Sequence, residues 1–270
     1  MRVAVAALVV LLLVSGCRTV PPPRRLPEDD PRPRALLDAW REQADGRRTL
    51  AAVARFAVDA RGAGPGGKNL SLRSKQRLWL ARPARLRVEV LGFLDTTLAV
   101  LVTDGVDYAL LQTEDRSFDS GPVYPGLLWD AARLDLSPRE AVEVILGAPH
   151  PDAGLAPGAA WVAGDRVRIE LVDASGVPRR VVEFGPEGWI RKLEQRGAEG
   201  EPLWDASWDD YVEIDGAPFA RDVALRSAAG DSDALLSLRR IELNPPLDPE
   251  RFRLVAPGGT SAARAAGEAG

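Results

Sequence analysis

Residues 77–103 read RLWLARPARLRVEVLGFLDTTLAVLVT, and their periodicity decides the fold. Leu78 and Leu80 alternate with Arg77 and Trp79, and Leu86, Val88 and Val90 alternate with Arg85, Arg87 and Glu89. A period of two, apolar on one face and charged on the other, describes half-buried strands of an antiparallel sheet. Arg82-Pro83 separates the first pair of strands. Gly92-Phe93-Leu94-Asp95 separates the second from a third that begins near Thr97.

The same alternation extends outward. Leu70 and Leu72 face away from Ser71 and Arg73, while Val167, Ile169 and Leu171 face away from Arg166, Arg168 and Glu170. Val223 and Leu225, then Leu236 and Leu238, repeat it, and Ile241 to Leu243 resumes out of phase, as a bulge requires. Asp104-Gly105, Ser175-Gly176, Gly185-Pro186, Asp215-Gly216 and Gly230-Asp231 supply turns. Two helices interrupt the strands. One is expected over 34–45, with Leu36, Leu37, Trp40 and Ala44 on one face. The other opens with Ser137-Pro138-Arg139-Glu140, the order of a capping box with proline at the first helical position, and carries Ala141, Val144 and Ile145 inward. The expected fold is mainly β (α+β): a curved antiparallel sheet of about ten strands forming an open half-barrel, with helices capping an apolar cavity. There is no internal repeat and no second domain boundary.

Composition narrows the chemistry. The 270 residues are 46% hydrophobic and carry a net charge of −4, which argues against a general nucleic-acid binder. One Cys excludes an intrachain disulfide and any multi-thiolate metal or cluster site; one His excludes two-His metal motifs. His150, in a proline-rich loop, has no nucleophile elbow to serve and reads as a surface residue. Asp205, Asp209, Asp210, Glu213 and Asp215 could form a carboxylate or Ca²⁺ site. However, they interleave with Trp204, Ala206, Trp208 and Tyr211 as the wet face of a strand would. Gly64, Gly66 and Gly67 precede no helix, so the phosphate-loop reading is weak. The expectation is a binder with no catalytic residue, no metal and no cofactor.

Met1-Arg2, the twelve apolar residues 3–14 and Ser15-Gly16-Cys17 read as an export signal. Twelve helical residues cover roughly 18 Å, short of a bilayer core of about 30 Å. Val14-Ser15-Gly16-Cys17 resembles the bacterial lipobox, which makes Cys17 the lipidated first residue of a mature protein. Arg18, in place of Asp, then favours the outer membrane by resemblance to enterobacterial sorting rules. The expected organisation is a lipoprotein signal peptide over 1–16, the lipidated Cys and a proline-rich tether over 17–33, a half-barrel over 34–257 and a disordered tail over 258–270.

The order RLWLARPARLRVEVLGFLDTTLAVL, then AVEVILGAP, then IELNPPLDPERFRLVAP resembles LolB-type outer-membrane lipoprotein receptors and the related LolA-type periplasmic carriers. The resemblance implies an apolar cavity for lipoprotein acyl chains, handover from a LolA-type carrier, and insertion of the lipoprotein into the outer membrane from its periplasmic face. It places Leu94, with Phe93 beside it, at the family's protruding membrane-insertion loop. Turn chemistry alone leaves open whether the pair projects or folds back into the core. Asp95 stands where a Gly is more usual, and the long proline tether departs from the pattern. Cavity-lining candidates are Leu78, Trp79, Leu80, Val88, Val90, Trp204 and Trp208. The alternative is a non-catalytic envelope scaffold or assembly lipoprotein that uses the same sheet to bind a protein or another lipid.

Overall fold

The computed structural model describes residues 22–151, 154–228, 231–258 and 261–262. The signal segment and Cys17 lie outside the described residues, as does most of the expected tail. The deciding stretch forms β3 (Leu70–Ala81), β4 (Arg85–Leu91) and β5 (Thr97–Thr103), preceded by β1 (Arg24–Arg25), α1 (Pro31–Gly46) and β2 (Thr49–Ala60). After these come β6 (Asp107–Gln112), β7 (Ser117–Pro122), α2 (Leu127–Ala132), α3 (Pro138–Ile145) and β8 (Ala156–Ala163). The chain continues through β9 (Arg166–Val172), β10 (Pro178–Phe184), β11 (Ile190–Arg196), β12 (Pro202–Ile214), β13 (Ala217–Ser227), β14 (Ser232–Leu243) and the two-residue β15 (Ser261–Ala262).

The fifteen strands among the described residues join one curved sheet in the order β1-β8-β9-β10-β11-β12-β13-β14-β2-β3-β4-β5-β6-β7-β15. Every pairing is antiparallel except β15 on β7. The sheet is open, and its two halves meet where β14 pairs with β2. The register slips there between Arg239 and Glu242, at the bulge that the out-of-phase Ile241 to Leu243 predicts. More strands form than alternation predicts. β7 (SFDSGP) and β8 (APGAAWVA) are built from small and turn-forming residues, and their pairing depends on long-range partners rather than local propensity.

One face of the sheet holds the main core. On β2 the inward residues Leu50, Ala52, Ala54, Phe56, Val58 and Ala60 are all buried. In the β8–β13 half, α1 fills the inner face with Trp40, which meets Phe184 edge-on at 6.1 Å, and Trp204, Trp208 and Phe219 pack beside it. Among the described residues, the inner face of the β2–β6 half carries no Trp and is roofed by the short helices α2 and α3. A second, small cluster lies on the outer face, where Leu254 covers Val100, Val102 and Ala109.

The proline-rich segment departs from expectation. Arg24 and Arg25 pair with Val162 and Trp161 of β8, the Leu26 amide donates to the Ala160 carbonyl at 2.8 Å, and the Leu26 side chain is buried. The helix starts at Pro31 rather than 34, capped by Asp30, whose carboxylate accepts from the Arg32 amide. Prolines in a first helical turn forfeit no intrahelical hydrogen bond, so Pro31 and Pro33 start the helix instead of extending a stalk. The stretch from Arg24 onward is therefore part of the folded body.

Candidate functional site

A cavity of about 360 Å³ lies between the inner face of β2–β6, β13 and β14 and the helices α2 and α3. Its wall is mainly aliphatic: Leu78 from β3, Leu86, Val88 and Val90 from β4, Leu101 from β5, Leu110 from β6, and Val223 and Leu225 from β13. Leu128, Ala131 and Ala132 of α2 and Ala141, Val144 and Ile145 of α3 form the roof. The strand pleat produces this lining. Charged residues alternate outward, so the side chains delivered inward are mostly hydrocarbon, with Ser74 and Gln76 of β3 as polar exceptions.

The roof helix α3 is held firmly. Ser137 Oγ accepts from the Glu140 amide at 3.2 Å while Glu140 Oε2 accepts from the Ser137 amide at 2.9 Å, which completes the capping box. Trp208 Nε1 donates to the Val144 carbonyl at 3.0 Å, and Trp204 Nε1 donates to Glu140 Oε1 at 3.3 Å. Below the helix, Arg47 donates to the carbonyls of Leu146 and Pro218 and lies 5.2 Å from the Phe219 ring centroid. Burial pushes the Arg47 guanidinium down to about 10. Arg82 donates to the Ala148 carbonyl at 2.6 Å and sits 3.6 Å from the buried Glu143.

The mouth lies beside the β4–β5 connection. Leu72 and Leu98 line the cavity and are also exposed to solvent. Gly92 rests on Leu98 so closely that a Cβ at position 92 would come within 3.0 Å of that side chain. Beyond Gly92, Phe93 is 84% and Leu94 82% exposed. The loop satisfies its own backbone: the Gly92 amide donates to the Thr96 carbonyl at 2.8 Å, and the Thr96 amide and hydroxyl both donate to the Phe93 carbonyl. Asp95 is tied to Lys75 Nζ at 2.6 Å, and that bond holds its carboxyl below the usual carboxylate range, with Arg77 and Arg240 contributing. Leu94 has φ 53 and ψ 33, the left-handed region that side chains other than Gly, Asn and Asp rarely adopt. The turn thus presents two large apolar side chains to solvent at the edge of an apolar cavity.

Of the residues expected in the wall, Leu78, Val88 and Val90 line the cavity, while Leu80 is fully buried outside its lining. Trp79 is on the opposite face, since its neighbours Leu78 and Leu80 point inward, and Arg251 lies 4.9 Å from its ring centroid. Trp204 and Trp208 point inward but brace α3 from the filled half of the sheet. No Trp lines the cavity. Alternation along one strand cannot reveal which half of a curved sheet a residue fills. The roof helix α2 went unpredicted. The pairs Leu127-Leu128 and Ala131-Ala132, spaced by four, were its signal, although six residues give little periodicity.

Other candidates resolve into structure. His150 Nε2 lies 3.0 Å from Asp45 at the surface. The β12 acids point outward, Asp205 to Lys192 at 3.2 Å and Asp210 to Arg221 at 2.7 Å. Among the described residues no group of three or more His, Cys, Asp or Glu is placed to hold a metal ion.

An open antiparallel half-barrel with a roofed apolar cavity and an exposed apolar rim is the class that this fold and site define. Solved structures of the same architecture make the fold more specific. The chain is similar to a LolA superfamily protein from Nitrosomonas europaea, with a TM-score of 0.53 and 12% identity, covering 81% of this chain and 97% of that one. It is also similar to a DUF1329 family protein from Desulfovibrio piger, with a TM-score of 0.50 and 13% identity, covering 82% and 96%. No protein-family model and no curated protein sequence matches. The chain therefore shares its fold with these two solved structures.

Proposed function

We propose that the protein is a membrane-anchored lipoprotein that takes the acyl chains of other lipoproteins into its cavity and helps insert them into the outer membrane. Cys17 is the lipid anchor, and a LolA-type periplasmic carrier is the donor. The observation that carries this reading is the continuity from the Phe93–Leu94 tip through Leu98 to the cavity. A methylene takes about the room of a water, roughly 30 Å³. The cavity therefore accommodates on the order of ten methylenes, each worth about 0.8 kcal/mol when removed from water. That gross gain, reduced by the cost of ordering the chain, suffices to shelter acyl groups in transit. Direction requires only differential affinity, about 1.4 kcal/mol for each tenfold bias, first from carrier to cavity and then from cavity to bilayer. An anchored protein with a greasy tip at the cavity mouth brings cavity and bilayer together without nucleotide or metal.

The test is complex formation between the purified full-length protein and a bacterial lipoprotein in acylated and de-acylated forms. Binding of the acylated form alone is expected. Equal binding of both forms contradicts the proposal and favours a protein-binding scaffold.

A further inference from the structure

The cavity wall is interrupted at one place. Along β3 the inward positions run Leu72, Ser74, Gln76, Leu78 and Leu80, so two polar residues stand in a row of leucines. Gln76 is 8% exposed and lines the cavity, with inward-facing Val90 and Ala54 as its cross-strand partners. Its amide lies 3.1 Å from Ser74 Oγ. No other hydrogen bond among the described residues engages the Gln76 side chain, and its remaining polar atoms are not sealed within packed protein. Whichever way the amide is turned, at least one N–H is left over to donate. The Ser74 side chain has further hydrogen-bonding capacity of its own.

We propose that Ser74 and Gln76 form a carbonyl-recognition subsite that selects ester-linked acyl chains, with both side chains donating to the ester carbonyl oxygen. This rests on the cavity being the acyl-chain site. Ser74 is one inward position below Leu72 at the mouth, about 7 Å along the strand, and Gln76 is about 7 Å deeper. A carbonyl held there leaves its glycerol side toward the mouth and sends its alkyl chain inward past Leu78, Leu86 and Leu101. A free carboxylate fits poorly. The cation in the cavity lining, Arg73, is committed to Asp59 at 2.9 Å and to the Val58 and Leu72 carbonyls, and an ion without a partner is costly in an apolar cavity. The subsite therefore favours a neutral acyl ester over a fatty acid or a plain hydrocarbon.

The experiment measures displacement of a fluorescent acyl probe from the full-length protein by 1,2-dimyristoylglycerol and by its diether analogue, which lacks only the carbonyls. The wild type is expected to prefer the diester about 30-fold, the worth of two net hydrogen bonds. Gln76→Leu and Ser74→Ala are expected to bring the ratio toward one, with diether affinity unchanged or improved and unfolding midpoints retained. A ratio of one in the wild type, or a wild-type ratio preserved in both variants, overturns the subsite. Failure of the wild type to bind either lipid instead overturns the acyl-chain reading on which the subsite rests.

Discussion

Leu94 occupies a backbone conformation that penalises it and an environment that does not reward it. A left-handed residue other than glycine costs roughly 1–2 kcal/mol, and Asn escapes much of this because its short polar side chain bonds locally. At 82% exposure Leu94 has little packing to lose. Leu94→Asn should therefore stabilise the fold by about 1 kcal/mol, raising the unfolding temperature by about 2–4 °C for a domain of this size. On the membrane the sign reverses. Burying a leucine side chain is worth about 1.5–3 kcal/mol, so its loss should weaken vesicle association about 10- to 100-fold. Thermal unfolding by circular dichroism and delivery of an acylated lipoprotein into liposomes measure the two effects on one sample. Phe93→Ser, at an equally exposed position, should impair delivery with little change in stability. A Leu94→Asn protein that is less stable than wild type would show that the side chain packs in the fold. Unchanged delivery by both variants would remove the tip from the mechanism.

Arg47→Met should cost about 3 kcal/mol in chemical denaturation, because the buried Leu146 carbonyl and the part-buried Pro218 carbonyl lose a charged donor that a thioether cannot replace. Ser137→Ala removes one side of the capping box and should cost about 1 kcal/mol, visible as a lower unfolding temperature. Leu26→Ala tests whether the proline-rich segment is docked. A loss of about 2 kcal/mol or more is expected for truncating a buried leucine, whereas a free stalk would show no change.

The parts of the fold that were legible in advance are those decided locally. β3, β4 and β5 follow from the alternation around Leu78, Leu86 and Val88. α3 follows from Ser137 and Glu140, and the β14 bulge from the phase slip before Leu243. At the site, the same alternation put Leu78, Val88 and Val90 on the inner face, and the sequence marked Phe93 and Leu94 as unusual for a turn. What stayed hidden depends on contacts distant in sequence. A lone Leu26 among prolines carries no periodicity, yet it docks because β8 offers an edge to pair with. Trp204 and Trp208 are indistinguishable from cavity-lining aromatics until the sheet curls and α3 descends onto them. Gln76 reads as one polar residue among several in SLRSKQRLWL, and only the pleat of β3 turns it into the cavity.

The central claim is that the space under α2 and α3 holds acyl chains, and blocking that space tests it most directly. Ala99 and Ala132 line the cavity from opposite sides, on β5 and α2. Binding of an acylated lipoprotein should be measured for the wild type, Ala99→Trp and Ala132→Trp, with circular dichroism establishing that each variant is folded. The account predicts that folded variants lose acyl-dependent binding as the indole occupies the room of the chain. Retention of wild-type affinity by both folded variants would contradict it.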